Sequence, residues 1–326
     1  MPYWEIVTRS FRIAWRHKYL WLLALFAGES GGAGFNYSQT QQLQPRSNGS
    51  SPDFTGAVTT VTTWITDHVG LILVLAALWL ILVIVFFVLG AVCEGALVRG
   101  SAEHDAERPF GLGIAWRCGV ATMGTIIRFR LLLLLLGLPV LIVVAGVVAG
   151  AVAAFLGHNN GAGAALVVLG LLVLLAAIPY TIYLSFLNRL GARAAILEEL
   201  GARKAIVRAH HLVRGRLGRV LLVWLLSIAV GIVVGIAVGI VLAIIAIPLA
   251  IAGVATYAGG SSSFILVILI GLVVLLPVAL ITGSFIAAQD STYWTLAFRR
   301  LELAQPSAYY YGYQPPPQPG PTPGIS

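Results

Sequence analysis

An all-α membrane helix bundle is the fold this sequence predicts, and three observations carry the prediction. Charge is scarce: 59% of the 326 residues are hydrophobic, 10% are charged, and mean hydropathy is +0.94. Soluble domains carry about 25% charged residues, and so little charge would not cover a soluble globule of this size. The apolar residues are gathered into long runs at 69–92, 131–156, 164–188, 220–252 and 264–288, each above the roughly 18 residues that suit a spanning helix. The runs lack the period-two alternation of a barrel strand, and lipid leaves backbone groups no partner outside a helix.

Orientation follows from the basic residues. Of the twenty Lys and Arg, all but Arg46 fall in four places: the N-terminal stretch, the loop after the 69–92 span, the loop after the 164–188 span, and the C-terminal end. Positive-inside logic puts all four in the cytoplasm. This requires a sixth span before the others, and 19–28 is the candidate, extended by the helix preceding it. Both termini of a multi-pass cell-membrane protein are then expected inside. Residues 1–303 form the transmembrane domain. The polar, low-complexity stretch 29–57 reads as a flexible outer loop. Residues 304–326, rich in Pro and Tyr, read as a disordered cytoplasmic tail of polyproline II character.

A three-fold parallel hairpin repeat underlies this layout. In each unit a basic, partly amphipathic stretch precedes an outgoing and an ingoing span. The first stretch sets Trp4, Val7, Phe11 and Trp15 on one helical face and Glu5, Arg9, Arg12 and Arg16 on the other, the spacing of a helix lying in the membrane surface. Ile114-Ala115-Trp116-Arg117 echoes Ile13-Ala14-Trp15-Arg16, although Gly111, Gly113, Gly119 and Gly124 weaken it as a helix. The third stretch, 202–219, has Ile206, Ala209, Val213 and Leu217 on one face. Arg9, Arg12, Arg16, Lys18, Arg208, Arg214, Arg216 and Arg219 are the expected lipid-headgroup contacts, at about 1 kcal/mol per charge near an anionic surface.

Helix packing should fall on glycines at every fourth residue. Gly146 and Gly150 in one outgoing span, and Gly231, Gly235 and Gly239 in another, leave grooves that close backbone contact can fill. The two ridges are expected to face each other within the chain; a subunit seam is the alternative.

Polar groups near membrane depth are the remaining candidates. Glu94, Asn188, Arg189, Gln289 and Asp290 fall at the inner ends of the ingoing spans. They read either as a polar cluster, with Arg189 pairing Glu94 or Asp290, or as helix ends at headgroup level. His210-His211 is a poor metal pair because helical neighbours point about 100° apart, and His104 lies among carboxylates in a charged loop. Cys93 and Cys118 are expected as reduced thiols. No His-Glu-x-x-His or Walker loop occurs. The sequence therefore predicts no enzyme, cofactor or metal. Its expected partner is the anionic inner leaflet rather than nucleic acid. A lipid- or partner-organising role comes first, and a transporter or lipid translocator with a cavity between the repeats is the alternative.

Three stretches carry a family resemblance. They are the run from Ile13 through Tyr19-Leu20-Trp21-Leu22-Leu23, the run from Glu198-Glu199-Leu200-Gly201-Ala202-Arg203-Lys204-Ala205 into Gly218-Arg219-Val220-Leu221, and Tyr293-Trp294-Thr295-Leu296-Ala297-Phe298-Arg299-Arg300. Together they resemble a family of uncharacterised bacterial multi-pass proteins, similar to the membrane domain found beside glycerophosphoryl diester phosphodiesterases. The resemblance implies a six-helix bundle with interfacial helices over about residues 1–303. It implies no diesterase activity, because that chemistry belongs to a separate soluble barrel with a His-Arg-Gly motif that this chain lacks.

Overall fold

A computed structural model describes residues 3–27, 64, 66–157, 160–258 and 264–303. The expected outer loop and the Pro/Tyr-rich tail lie outside them. Among the described residues the fold is all-α, with eight principal helices: α1 Tyr3–Arg16, α2 Tyr19–Ala27, α3 Val69–Asp105, α4 Leu112–Leu156, α5 Asn160–Leu197, α6 Ala202–Gly215, α7 Leu217–Ala258 and α8 Phe264–Leu303. Five of them, α3, α4, α5, α7 and α8, are long and apolar enough to cross a membrane.

Neighbouring helices pair as hairpins. α4 packs against α3 and α5, and α7 against α8, while α1 and α2 lie on α8 and on the end of α3. α2 runs antiparallel to α3: Tyr19 reaches His104 at one end and the Phe26 ring stacks on Phe86 at the other. As described, its nine residues rise only about 14 Å at 1.5 Å each, short of a crossing; of the expected 19–28 span only Gly28 lies outside the described residues, and the preceding helix does not extend it, because α1 ends at Arg16 and packs on α8.

The buried core sits at one end. It contains Ile6, Ala14, Leu20, Leu23, Leu97, Phe129, Leu190, Tyr293, Trp294 and Phe298, among others. This is also the end where the basic residues collect. In the opposite halves of the helices, among the described residues of 137–180 and 225–283, only Ala151 and two glycines are buried. Leu141, Leu171, Val233 and Ile251 stand at least 65% exposed. Such surfaces are stable only against lipid, where side chains need no water-excluding partner.

Three local expectations change. The second basic stretch is no separate surface helix, because α4 runs unbroken from Leu112 for 45 residues, roughly 67 Å. Apolar contact with α3 outweighs the modest helical penalty of its glycines. α1 is more than a helix resting on the membrane surface: it buries Ile6, Val7, Ser10, Ile13 and Ala14 within the protein. Trp4 and Trp15 are about two-thirds exposed, since a small-residue face fits closely on α8. α6 likewise buries Ala202, Ala205, Ala209, Leu212 and Val213, and Leu217 turns outward.

The glycine ridges do not face each other. A Cβ on Gly146, Gly231, Gly235 or Gly239 would meet nothing within 4 Å, and Gly150 approaches only Leu166, its hairpin neighbour on α5. Sequence-adjacent hairpins satisfy their own packing first. Close backbone approach occurs instead where α3 crosses α4 at the basic end. A Cβ on Gly119 would strike the Val92 carbonyl oxygen, and one on Gly95 would lie 3.2 Å from the Gly119 Cα.

Candidate functional site

Charged side chains tie the helix ends at the basic end into one layer. On α3, Glu94 is buried within an apolar stretch. Its carboxylate is met by Arg130 from α4, whose guanidinium also donates to the Ala27 carbonyl at 2.8 Å. Burying one charge without the other would cost several kcal/mol, so their pairing holds α2, α3 and α4 at a common height. Arg189 on α5 does not reach Glu94. It donates to Asp290 Oδ2 on α8 at 2.7 Å and lies 4.9 Å above the Trp294 ring. The Ser227 hydroxyl donates to the other carboxylate oxygen at 3.1 Å, bringing in α7.

The candidate polar cluster therefore divides. Glu94 and Asn188 line one groove of about 620 Å³ with Arg130, and its wall continues through Leu133, Leu134, Gly137, Leu138, Leu141 and Leu184. Arg189 and Asp290 form a second pair. Gln289 is buried elsewhere and donates to Ser10 Oγ of α1 at 3.2 Å.

Several expected headgroup contacts are engaged inside the chain. Arg9 binds Asp105 at 2.7 Å through both the side chain and the backbone carbonyl, and Arg299 shares that carboxylate at 2.8 Å. Arg208 spans Glu198 at 3.2 Å and Glu302 at 3.6 Å. Burial pushes the Glu198 carboxyl up from its ordinary range, and Arg208 partly opposes this. Arg216 donates to the Leu301 carbonyl at 2.7 Å. Asp105 and Glu302, which Arg9, Arg299 and Arg208 meet, come from helices distant in sequence. By contrast Arg12, Arg16, Lys18, Arg214 and Arg219 are exposed and form no ion pair among the described residues.

Three features escaped the sequence reading. Arg193 is fully buried and donates to the Arg189 and Ser291 carbonyls. The His17 and His104 rings stack with centroids 3.5 Å apart and planes 9° from parallel. His210 meets the Tyr183 hydroxyl rather than a ligand set. Only the first had a sequence signal, an arginine one helical turn beyond Arg189.

Long apolar helices bound into a charged layer at one end define a polytopic helical membrane protein. The chain belongs to a family of unknown function, DUF7544, which it matches over residues 7–296. No curated protein and no solved structure matches it.

Proposed function

We propose that this chain is a non-enzymatic, six-crossing protein of the cell membrane whose charged end faces the cytoplasm and organises anionic lipid there. The observation that carries the reading is the distribution of charge. Buried and half-buried arginines are committed to internal partners, while Arg12, Arg16, Lys18, Arg117, Arg214 and Arg219 remain exposed around the same end. A surface of uncompensated cations beside apolar spans matches an anionic leaflet, and the positive-inside rule supports the orientation. α1 and the end of α8 meet where Arg300 approaches Glu5 at 3.4 Å. Five crossings are odd, so two termini at one end call for a sixth, which the outward course of α2 supports. The hairpins α4–α5 and α7–α8, with α2–α3 as a partial third, support the three-fold repeat.

The test is reconstitution of the full chain with spin-labelled lipids, measuring relative association at the protein boundary. Anionic lipid should be enriched over zwitterionic lipid, with the enrichment shrinking in high salt. Equal association of both lipids would overturn the reading.

A second reading, a lipid translocator, draws on the groove of Glu94, Arg130 and Asn188, whose apolar wall climbs α4 to Leu141. Accelerated flipping of labelled lipid in the same vesicles would favour it.

A further inference from the structure

A second groove, of about 700 Å³, opens between α4 and the start of α6. It is lined by Arg128, Leu131, Leu132 and Leu135 from α4 and by Gly201, Ala202, Arg203 and Lys204. Arg128, Arg203 and Lys204 are all exposed, and none forms an ion pair among the described residues. The nearest carboxylates in sequence are committed elsewhere: Glu198 to Arg208 at 3.2 Å and Glu199 to Arg99 at 3.8 Å. α6 has no acidic residue in its first turn and no side-chain cap, so no carboxylate among the described residues pairs with these three cations.

The order of groups along α4 is specific. Arg128 stands just before the apolar span, and Leu131, Leu132 and Leu135 follow on the same wall. At 1.5 Å per residue, Arg128 and Leu135 are separated by about 10 Å along the axis. Cations at the edge, then leucines leading into the hydrocarbon, repeat the order of a phospholipid: anionic headgroup, then acyl chain. A soluble anion would use the cations and leave the leucine wall idle. A zwitterionic lipid would bring its own cation against three others.

We infer that this groove is a binding site for one anionic phospholipid, its phosphate held among Arg128, Arg203 and Lys204 and one acyl chain laid along Leu131, Leu132 and Leu135. The inference deepens the proposed function and rests on it for the orientation of the charged end. It differs from general attraction to the leaflet, because a concave site retains a single molecule where a flat cationic surface exchanges many.

Native mass spectrometry of the full chain, released from detergent micelles doped with phosphatidylglycerol or phosphatidylcholine, tests it. The wild type should retain one phosphatidylglycerol at activation that strips phosphatidylcholine. Each charge near the surface is worth roughly a fivefold change in affinity. The Arg128→Gln/Arg203→Gln/Lys204→Gln variant should therefore bind on the order of a hundredfold more weakly. Arg108→Gln, at an exposed arginine whose partner is Glu103 at 3.3 Å, should keep the retained lipid. Leu132→Ser/Leu135→Ser should weaken phosphatidylglycerol but leave binding of soluble glycerol phosphate unchanged. If glycerol phosphate displaces the lipid fully at equal concentration, the site takes a soluble phosphate and the inference fails. Retention of phosphatidylglycerol by the triple variant, with its helicity and melting unchanged, would show that the groove is not the site while leaving the broader reading intact. No anionic preference in the wild type would sink both.

Discussion

Arg189 and Asp290 join α5 to α8 through a 2.7 Å charge-assisted hydrogen bond roofed by the Trp294 ring. About a fifth of each side chain is exposed, so the pair is neither a surface contact nor a fully desolvated one. Removing one partner leaves a charge in a largely apolar layer. Asp290→Ala should destabilise the protein by ~2 kcal/mol, less than the loss of a fully buried partner. Thermal unfolding in detergent measures it. In a double-mutant cycle, Arg189→Met added to Asp290→Ala should cost much less than it does alone. Full additivity would mean that the pair contributes nothing.

The close crossing of α3 and α4 makes a sharper prediction. Gly119→Ala puts a methyl group into the Val92 carbonyl, which belongs to the backbone and cannot rotate away. Overpacking of this kind costs about 1–3 kcal/mol. Gly235→Leu enters open space and should leave melting nearly unchanged. Comparable losses from both variants would show that the Gly235 face packs on something beyond this chain.

Those two glycines show where the sequence was legible and where it was not. The class of fold, the five long spans and the end carrying the charge all follow from one-dimensional quantities, namely run length and the position of Lys and Arg. Pairing does not. Gly231, Gly235 and Gly239 form the more regular pattern, yet the tight crossing uses the isolated Gly95 and Gly119, because contact depends on which helices become neighbours. The polar cluster split for the same reason. Glu94, Arg189 and Asp290 fall at similar places near the basic ends of their helices, but Arg130 from α4 takes Glu94. Arg9 and Arg208 sat on recognisably polar helix faces, and only the fold supplied Asp105 and Glu302 opposite them.

Acid should loosen the basic end. Burial, followed by the Arg16 charge, pulls His17 below its ordinary value of 6.5. The fold favours the neutral ring, so this contribution is complete above pH 6.5 and is lost as pH falls through the lowered value. The stacked His104 ring would sit against the new charge. Melting in uncharged detergent should fall between about pH 8 and about pH 5, and His17→Phe should flatten that slope. An unchanged slope in the variant would assign the acid sensitivity to other groups.

Orientation can be read by labelling. In a Cys93→Ala/Cys118→Ser background, a cysteine replacing exposed Arg214 should resist an impermeant thiol reagent in intact cells. One replacing Leu156, 75% exposed at the far end of α4, should react. The reverse pattern would place the charged end outside.

The confinement of the core to one end also governs how the protein yields under load. Drawn out of a membrane by the C-terminus, the α7–α8 hairpin must first break Arg189–Asp290, Arg299–Asp105 and the Gln289 amide's bond to the Ser10 hydroxyl, all within the charged layer. Above that layer there is little to tear except contact between adjacent helices and lipid. Extraction should register as one high rupture force followed by a long, nearly featureless extension. The same partition lets the far helix ends tilt as bilayer thickness changes while the charged layer stays fixed, so the molecule is a rigid footing bearing compliant masts.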